Sequence, residues 1–125
     1  MLNFNNMDDI YREYILDLYR SPLNKGILEH HTHKLHGHNA NCGDDIWIYL
    51  DIIDNQVREV SFDGVGCALC IAGASLTTEK LKGLTIDELA QITVEELYKW
   101  LGIEMEATRV KCVALALRTA QEVLK

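Results

Sequence analysis

Hydrophobic and polar residues recur along this chain with two different periods, and the period changes after the first element. Ile10, Tyr14 and Leu18 are spaced as one face of a helix, so the sequence predicts a helix over residues 8–20. Pro22 marks its end, because the residue before a proline is disfavoured in helical backbone. The first element is therefore expected to be an amphipathic helix with these three side chains on its apolar face.

A period of two follows in residues 46–53, where isoleucine and leucine occupy the even positions. This alternation predicts a strand, and residues 57–62 predict its hairpin partner after a turn at residues 54–56. The glycine-containing stretch 63–66 is expected to break the sheet pattern. The polar stretch 29–38, which is rich in histidine, predicts either a short edge strand or a loop.

The second half of the chain carries helical signals only. Residues 67–82 are rich in alanine, glycine and serine, which predicts a helix that another backbone element can approach closely. Two Thr-x-x-Glu sequences, at residues 85–88 and 93–96, are capping boxes that each begin a short helix. Residues 109–124 predict the last helix. This order predicts one α+β domain, with helices packed on one face of a small antiparallel sheet.

Composition narrows the functional classes. The chain has 125 residues, of which 48% are hydrophobic and 25% charged, as in a single globular domain. Its net charge of −7 argues against a nucleic-acid partner. No apolar run approaches the roughly 18 residues of a membrane span. Residues 1–9 also lack the basic and apolar regions of a secretory signal, so we expect a cytoplasmic protein without a membrane partner.

The cysteines carry the main chemical signal. They are Cys42, Cys67, Cys70 and Cys112. A cytoplasmic setting disfavours disulfides, and the wide spacing means that any shared site must be assembled by the fold. Gly43 separates Cys42 from Asp44, and its permissive backbone would let both side chains face one object. The alternative interpretation is an aspartate in a turn beside a buried cysteine.

A second cysteine follows a glycine-rich strand-to-helix connection. Gly66 precedes Cys67, which is thereby placed at the N-terminus of the small-residue helix. The helix dipole at that position favours a thiolate, the form that binds metals and attacks sulfur. The alternative is a small residue packed at a tight corner.

Two cations surround the last cysteine. Arg109 and Lys111 precede Cys112 at the start of the last helix, where positive charge opposes the helix dipole. The same charges would favour a thiolate or neutralise an anionic site. The alternative is two solvated side chains.

Cys67 and Cys70 also form a C-x-x-C pair, which is typical of thiol–disulfide oxidoreductases. Such a site needs a cis-proline that faces the dithiol from a later segment, and the single proline of this chain, Pro22, lies upstream. This function therefore stays a remote alternative. The other interpretation of Cys70 is a buried apolar thiol on the small-residue helix.

All five histidines fall within residues 30–38. They are His30, His31, His33, His36 and His38. Metal capture is one interpretation of this segment. An exposed, pH-sensitive segment is the other, because the histidines lack a paired carboxylate and a fixed helical spacing.

Taken together, these segments resemble the U-type iron–sulfur cluster assembly proteins, which comprise IscU, SufU and the amino-terminal domain of NifU. The resemblance rests on the three ordered cysteine sequences around Cys42, Cys67 and Cys112 and on the Ser-Pro-Leu-Asn-Lys-Gly turn at residues 21–26. It implies a three-stranded antiparallel sheet with helices against one face. It also implies that the three cysteines and Asp44 meet at one exposed end and hold a transient [2Fe–2S] cluster or zinc.

The resemblance also implies a function. Such a scaffold is not an enzyme in the usual sense: it accepts persulfide sulfur from a cysteine desulfurase and passes its cluster to iron–sulfur acceptor proteins. Cys112 is the expected sulfur acceptor if the chain behaves like IscU, and Cys42 if it behaves like SufU. The alternative is a SufU-like, zinc-dependent sulfur-transfer protein that activates the desulfurase.

The chain departs from the IscU pattern near its last cysteine. Lys111 stands where IscU-type scaffolds usually carry histidine. Residues 107–111 stand where those scaffolds carry a Leu-Pro-Pro-Val-Lys segment that is recognised by an Hsp70-type chaperone, and they contain no proline. Recruitment of that chaperone is therefore disfavoured.

Overall fold

The computed structural model describes residues 7–40, 43–102 and 110–124, with side chains from residue 13 onward and, in the last helix, from residue 112. Within these ranges the elements are α1 (Met7–Arg20), β1 (His33–Asn39), β2 (Asp44–Ile53), β3 (Gln56–Val65), α2 (Ala68–Leu81), α3 (Ile86–Gln91), α4 (Val94–Leu101), α5 (Val110–Gln121) and a final 3₁₀ turn (Glu122–Leu124). The three strands form an antiparallel sheet in the order β1-β2-β3. The predicted α+β architecture is confirmed.

The hairpin between β2 and β3 turns through two left-handed residues. Asp54 and Asn55 have φ angles of 53° and 66°, the backbone that a two-residue turn needs to match the strand twist. The prediction that residues 63–66 break the sheet is wrong, because β3 continues to Val65 and Gly64 pairs with Ile46. Gly64 has φ 128°, and a Cβ there would overlap the Asp45 carbonyl oxygen. The glycine therefore allows the strand to continue rather than ending it.

The core lies between one face of the sheet and the helices. Ile46, Ile48 and Leu50 of β2 are fully buried on this face, which we call the inner face. Helices α2 and α5 pack against it and against each other. A Cβ at Gly73 of α2 would overlap the Val113 carbonyl oxygen of α5. The prediction that small residues in this helix allow a close backbone approach is confirmed.

Helix α1 packs against α2, and its buried face includes Leu18 as predicted but not Tyr14. Ile15 and Leu18 are buried, whereas Tyr14 is 38% exposed. The buried side of α1 is therefore centred on Ile15 and Leu18, and Tyr14 lies outside it. Ser75 of α2 ties the end of α1 in place, because its hydroxyl donates to the Leu18 carbonyl at 3.2 Å and accepts from the Leu23 N–H at 3.2 Å.

The short helices begin as the sequence predicts. Thr85 and Thr93 are both N-caps of complete capping boxes, which begin α3 and α4. Gly102 ends α4 in the left-handed conformation, with φ 71°. No helix in the described ranges is both long and apolar enough to cross a membrane.

Candidate metal centre

Three chemically active side chains meet where three elements begin. Asp44 is the first residue of β2, Cys67 is the N-cap of α2, and Cys112 lies in the first turn of α5. One ligand atom of each, a carboxylate oxygen and two sulfurs, lies within 4.8 Å of the other two. The structure thus brings together three of the four predicted ligands. The fourth, Cys42, lies outside the described residues.

The Asp44 carboxylate is fully buried and half satisfied. Its Oδ1 atom accepts a hydrogen bond from the Cys67 backbone N–H at 3.0 Å. Its Oδ2 atom is buried and has no hydrogen-bond partner among the described residues. Burial of a carboxylate is costly unless the charge is paired or coordinates a metal. Asp44 therefore carries one oxygen whose environment fits a cation.

The donor set fits zinc and iron. Thiolate sulfur is the preferred ligand of both zinc and iron–sulfur clusters, and a carboxylate oxygen is an accepted but harder ligand. Cys67 is half-buried, and Cys112 is only 1% exposed. No disulfide links Cys67, Cys70 and Cys112 to one another. Two thiols and one carboxylate are thus held together by tertiary structure alone.

Two glycines make this arrangement possible. A Cβ on Gly66 would lie 3.0 Å from Asp44 Oδ1 and 2.8 Å from the Cys70 sulfur, which is closer than side chains normally approach. Gly43 has φ 71°, a left-handed conformation that favours glycine, and lies directly before Asp44. Gly66 thus leaves space for Asp44 and Cys70 at the site. Gly43 allows the left-handed backbone turn that directly precedes β2.

The model of the NifU-like N-terminal domain family matches residues 10–125 of this chain. The chain belongs to that family.

Relatives of the NifU-like chain carry two kinds of name. This chain is 33% identical to the iron–sulfur cluster assembly scaffold protein IscU of Thermotoga maritima, with 93% of both chains covered. It is 27% identical to the zinc-dependent sulfurtransferase SufU of Bacillus subtilis, with 97% of this chain and 94% of the relative covered.

A solved structure has the same fold as this NifU-like chain. The crystal structure of a candidate iron–sulfur cluster assembly scaffold protein for the SUF system from Fervidobacterium islandicum AW-1 superposes with a TM-score of 0.76. The match has 26% sequence identity and covers 96% of this chain and 100% of the other.

The remaining predicted site residues are placed less fully. Cys70 is buried in the core cluster beside Ile71 and Ala74, one turn along α2 from Cys67, and does not belong to the three-ligand group. Lys111 lies in α5, but its side chain is outside the described part of the chain, and so is the whole of Arg109.

The histidine segment meets a different carboxylate on the opposite, outer face of the sheet. His36 Nε2 lies 2.5 Å from Asp45 Oδ1, and His38 Nδ1 lies 3.4 Å from the same atom. The hydrogen bond from His36 lowers the pKa of the exposed Asp45 carboxyl, with a smaller contribution from His38. The His36 ring stacks on Trp47 with 4.1 Å between ring centroids. Sequence reasoning missed this partner, because Asp45 lies outside the histidine segment and meets it only through strand pairing.

An open cleft borders the candidate metal centre. It has a volume of about 490 Å³ and is lined by Tyr19, Pro22, Lys25, Val65 and Gly66, among others. Val65 is 66% exposed, although it is a large hydrophobic residue. Because Cys67 follows Gly66 directly, the cleft gives a partner protein room beside the site.

Proposed function

We propose that this chain is a scaffold on which iron–sulfur clusters are assembled, and that Asp44, Cys67 and Cys112 hold the cluster together with Cys42. One observation carries this proposal: a buried carboxylate, one oxygen of which has no partner in the described part of the chain, lies within 4.8 Å of two thiols contributed by separate helices. The scaffold names of relatives in the same family support it. A cysteine desulfurase as sulfur donor and iron–sulfur proteins as acceptors are the partners that this function requires.

The mixed ligand set suits a scaffold that must release its product. Three thiolates would bind the iron atoms of a cluster strongly, whereas the Asp44 oxygen would be a weaker ligand for the same iron atoms. Release then begins most easily at the carboxylate. Asp44 Oδ1 keeps its hydrogen bond to the Cys67 N–H, so the carboxylate stays in place for the next cluster.

Sulfur receipt is a thiol exchange. A thiolate of this chain attacks the outer sulfur of the desulfurase persulfide, forms a new S–S bond and breaks the S–S bond of the donor. The outer sulfur moves to the acceptor together with its proton, and the donor cysteine leaves as a thiolate that carries the negative charge. The exchange therefore needs no external oxidant or reductant.

A second candidate function is favoured by the burial of Cys112. A sulfur that is 1% exposed suits a metal ligand better than a first acceptor of incoming persulfide. Cys42 would then receive the sulfur, and a zinc ion held by Asp44, Cys67 and Cys112 would be resident. This is a zinc-dependent sulfur transfer that activates the desulfurase and builds no cluster, in line with the name of the Bacillus relative.

Metal and sulfide analysis of anaerobically purified protein separates the two candidates. Reconstitution with iron, cysteine and a cysteine desulfurase should give a visible cluster chromophore that a chelator removes. Asp44→Ala should retain the chromophore longer, because a cysteine thiolate from the reconstitution mixture can take the vacated position and is a stronger ligand for iron than a carboxylate. Asp45→Ala is the matched control, since its side chain lies on the outer face, and it should behave as wild type.

The outcome that contradicts the scaffold function is equally definite. One tightly bound zinc per chain, no sulfide after reconstitution, and loss of desulfurase activation when the zinc is removed would establish the second candidate instead. Wild-type protein that binds neither zinc nor iron would contradict both functions.

A further inference from the structure

Asn39 lies directly opposite the buried carboxylate of the candidate metal centre. It is the last residue of β1, and its register partner on β2 is Asp44. Directly opposed residues of antiparallel strands project to the same face of the sheet, so both side chains project to the inner face. Asn39 is 8% exposed, although it is a polar residue at the end of an edge strand. Strand pairing thus places a buried amide beside Asp44.

Both side chains carry a buried atom that lacks a partner. Asn39 Nδ2, a donor, and Asp44 Oδ2, an acceptor, have no hydrogen-bond partner among the described residues. Nearly all buried polar atoms in proteins are hydrogen-bonded, so two exceptions at one cross-strand pair need an explanation. A direct hydrogen bond between them would satisfy both, and the structure does not make it. The pair therefore fits a third group that brings a positive charge to Asp44 Oδ2 and a hydrogen-bond acceptor to Asn39 Nδ2.

A metal-bound thiolate is such a group. The cation would satisfy the Asp44 oxygen, and a cysteine sulfur on the same cation would accept from the Asn39 amide. Partners that hydrogen-bond to metal ligands orient them and tune the metal. We propose that Asn39 is a positioning residue of the metal centre, whose side-chain N–H donates to a metal-bound cysteine sulfur. Of the proposed function, this inference requires only the metal site.

Cobalt(II) titration of the metal-free protein tests the proposal, because the sulfur-to-cobalt charge-transfer band reports on the thiolates directly. Asn39→Leu removes the donor and keeps the branching of the side chain at Cγ. We expect cobalt affinity to fall by about 10- to 100-fold. We also expect the charge-transfer band to move to lower energy, because a sulfur without its hydrogen bond is more electron-rich. The metal-free variant should unfold at the same or higher denaturant concentration, since a buried unpartnered donor is gone.

Thr77→Val is the matched control. Thr77 Oγ1 is also buried without a partner among the described residues. Thr77 lies in α2, ten positions after Cys67, the N-cap of that helix. This variant removes a similar buried atom that has no partner in the described ranges, nearly three turns along α2 from Cys67. It should change the stability of the metal-free protein in the same direction as Asn39→Leu, and it should leave cobalt affinity and the band position at wild-type values.

The outcomes separate this inference from the proposed function. Wild-type affinity and band position in Asn39→Leu would overturn the role of Asn39 and leave the metal centre intact. Wild-type protein that shows no sulfur-to-cobalt band would overturn both. If Asn39→Leu does not fold, Asn39→Ala removes the same donor without adding apolar bulk, and the same two measurements decide the question.

Discussion

Asp44 and Asp45 are consecutive residues of β2, and the two carboxylates have opposite environments. Asp44 lies on the inner face, is fully buried and keeps one oxygen without a hydrogen-bond partner among the described residues. Asp45 lies on the outer face, its side chain is 41% exposed, and its Oδ1 atom contacts both His36 and His38. The alternation of a strand separates them. The exposed carboxylate is paired with its neighbours, whereas the buried one keeps an oxygen that no described residue satisfies.

The comparison also separates two kinds of polar cluster. The outer cluster of Asp45, His36 and Trp47 ties β1 to β2 through a side-chain hydrogen bond and a ring stack. The inner group of Asp44, Cys67 and Cys112 joins a strand to two helices. A change on the inner face should therefore alter metal affinity, and a change on the outer face should alter stability alone.

The largest effect is expected from Gly66→Ala, because its new Cβ would crowd Asp44 Oδ1 and the Cys70 sulfur. Overpacking of this kind typically costs about 1–3 kcal/mol, and zinc affinity should fall by about 10- to 100-fold as the ligands shift. Urea unfolding and zinc competition with a chromophoric chelator measure the two effects. Gly83→Ala is the control: Gly83 has φ 83° with open space around it, so the variant should lose stability through strain and keep wild-type zinc affinity.

Opposite signs are expected for the two neighbouring carboxylates. Asp44→Asn keeps an oxygen for the Cys67 N–H and removes a buried charge, so the metal-free protein should gain about 1 kcal/mol or more while zinc affinity falls. Asp45→Asn weakens its pairing with the two histidines, so the protein should lose a little stability at unchanged zinc affinity. Unfolding of metal-free protein and zinc titration test the pair. Equal shifts of the same sign would remove the distinction between the faces.

A smaller effect on stability is expected from the two histidines that contact Asp45, and it should be larger for His36 than for His38. His36 contacts Asp45 at 2.5 Å and stacks on Trp47, whereas His38 contacts Asp45 at 3.4 Å. His36→Ala should cost about 0.5–1.5 kcal/mol, the usual range for an aromatic pair, and His38→Ala should cost less. Zinc affinity should stay at its wild-type value in both. Loss of zinc affinity in either variant would show that the histidine segment serves the metal centre.

The smallest effect is expected at a third, exposed carboxylate. The Asn24 amide donates to Glu79 Oε1 at 3.1 Å, and this hydrogen bond, assisted by Lys82, lowers the pKa of Glu79. A lowered pKa in the folded state contributes stability above the unfolded pKa, which is lost as the pH falls through the folded value. Glu79→Gln should therefore reduce the fall in stability during acidification below about pH 5. Unfolding midpoints measured from pH 7 to pH 3 test this, and an unchanged slope would contradict it.

Much of the fold could be predicted because the signals are local. Capping boxes at Thr85 and Thr93 and the alternation in β2 need no distant partner to be recognised. The extension of β3 through Gly64 could not be predicted, because glycine breaks a strand unless another backbone approaches it closely. The exposure of Tyr14 was missed for a similar reason: helical spacing gives an apolar face, but the neighbouring element decides which part of it is buried.

Sequence alone is enough to predict the order of the helices and the β2–β3 hairpin, the candidate ligand types, and the glycines that precede Asp44 and Cys67. These follow from backbone preferences and side-chain chemistry, which every residue carries with it. Tertiary structure is needed to show that Asp44 faces inward with one oxygen that has no partner among the described residues. It is needed equally to show that Asn39 lies opposite Asp44 and that His36 and His38 contact Asp45. Strand register and burial decide these contacts, and both are set by elements far apart along the chain.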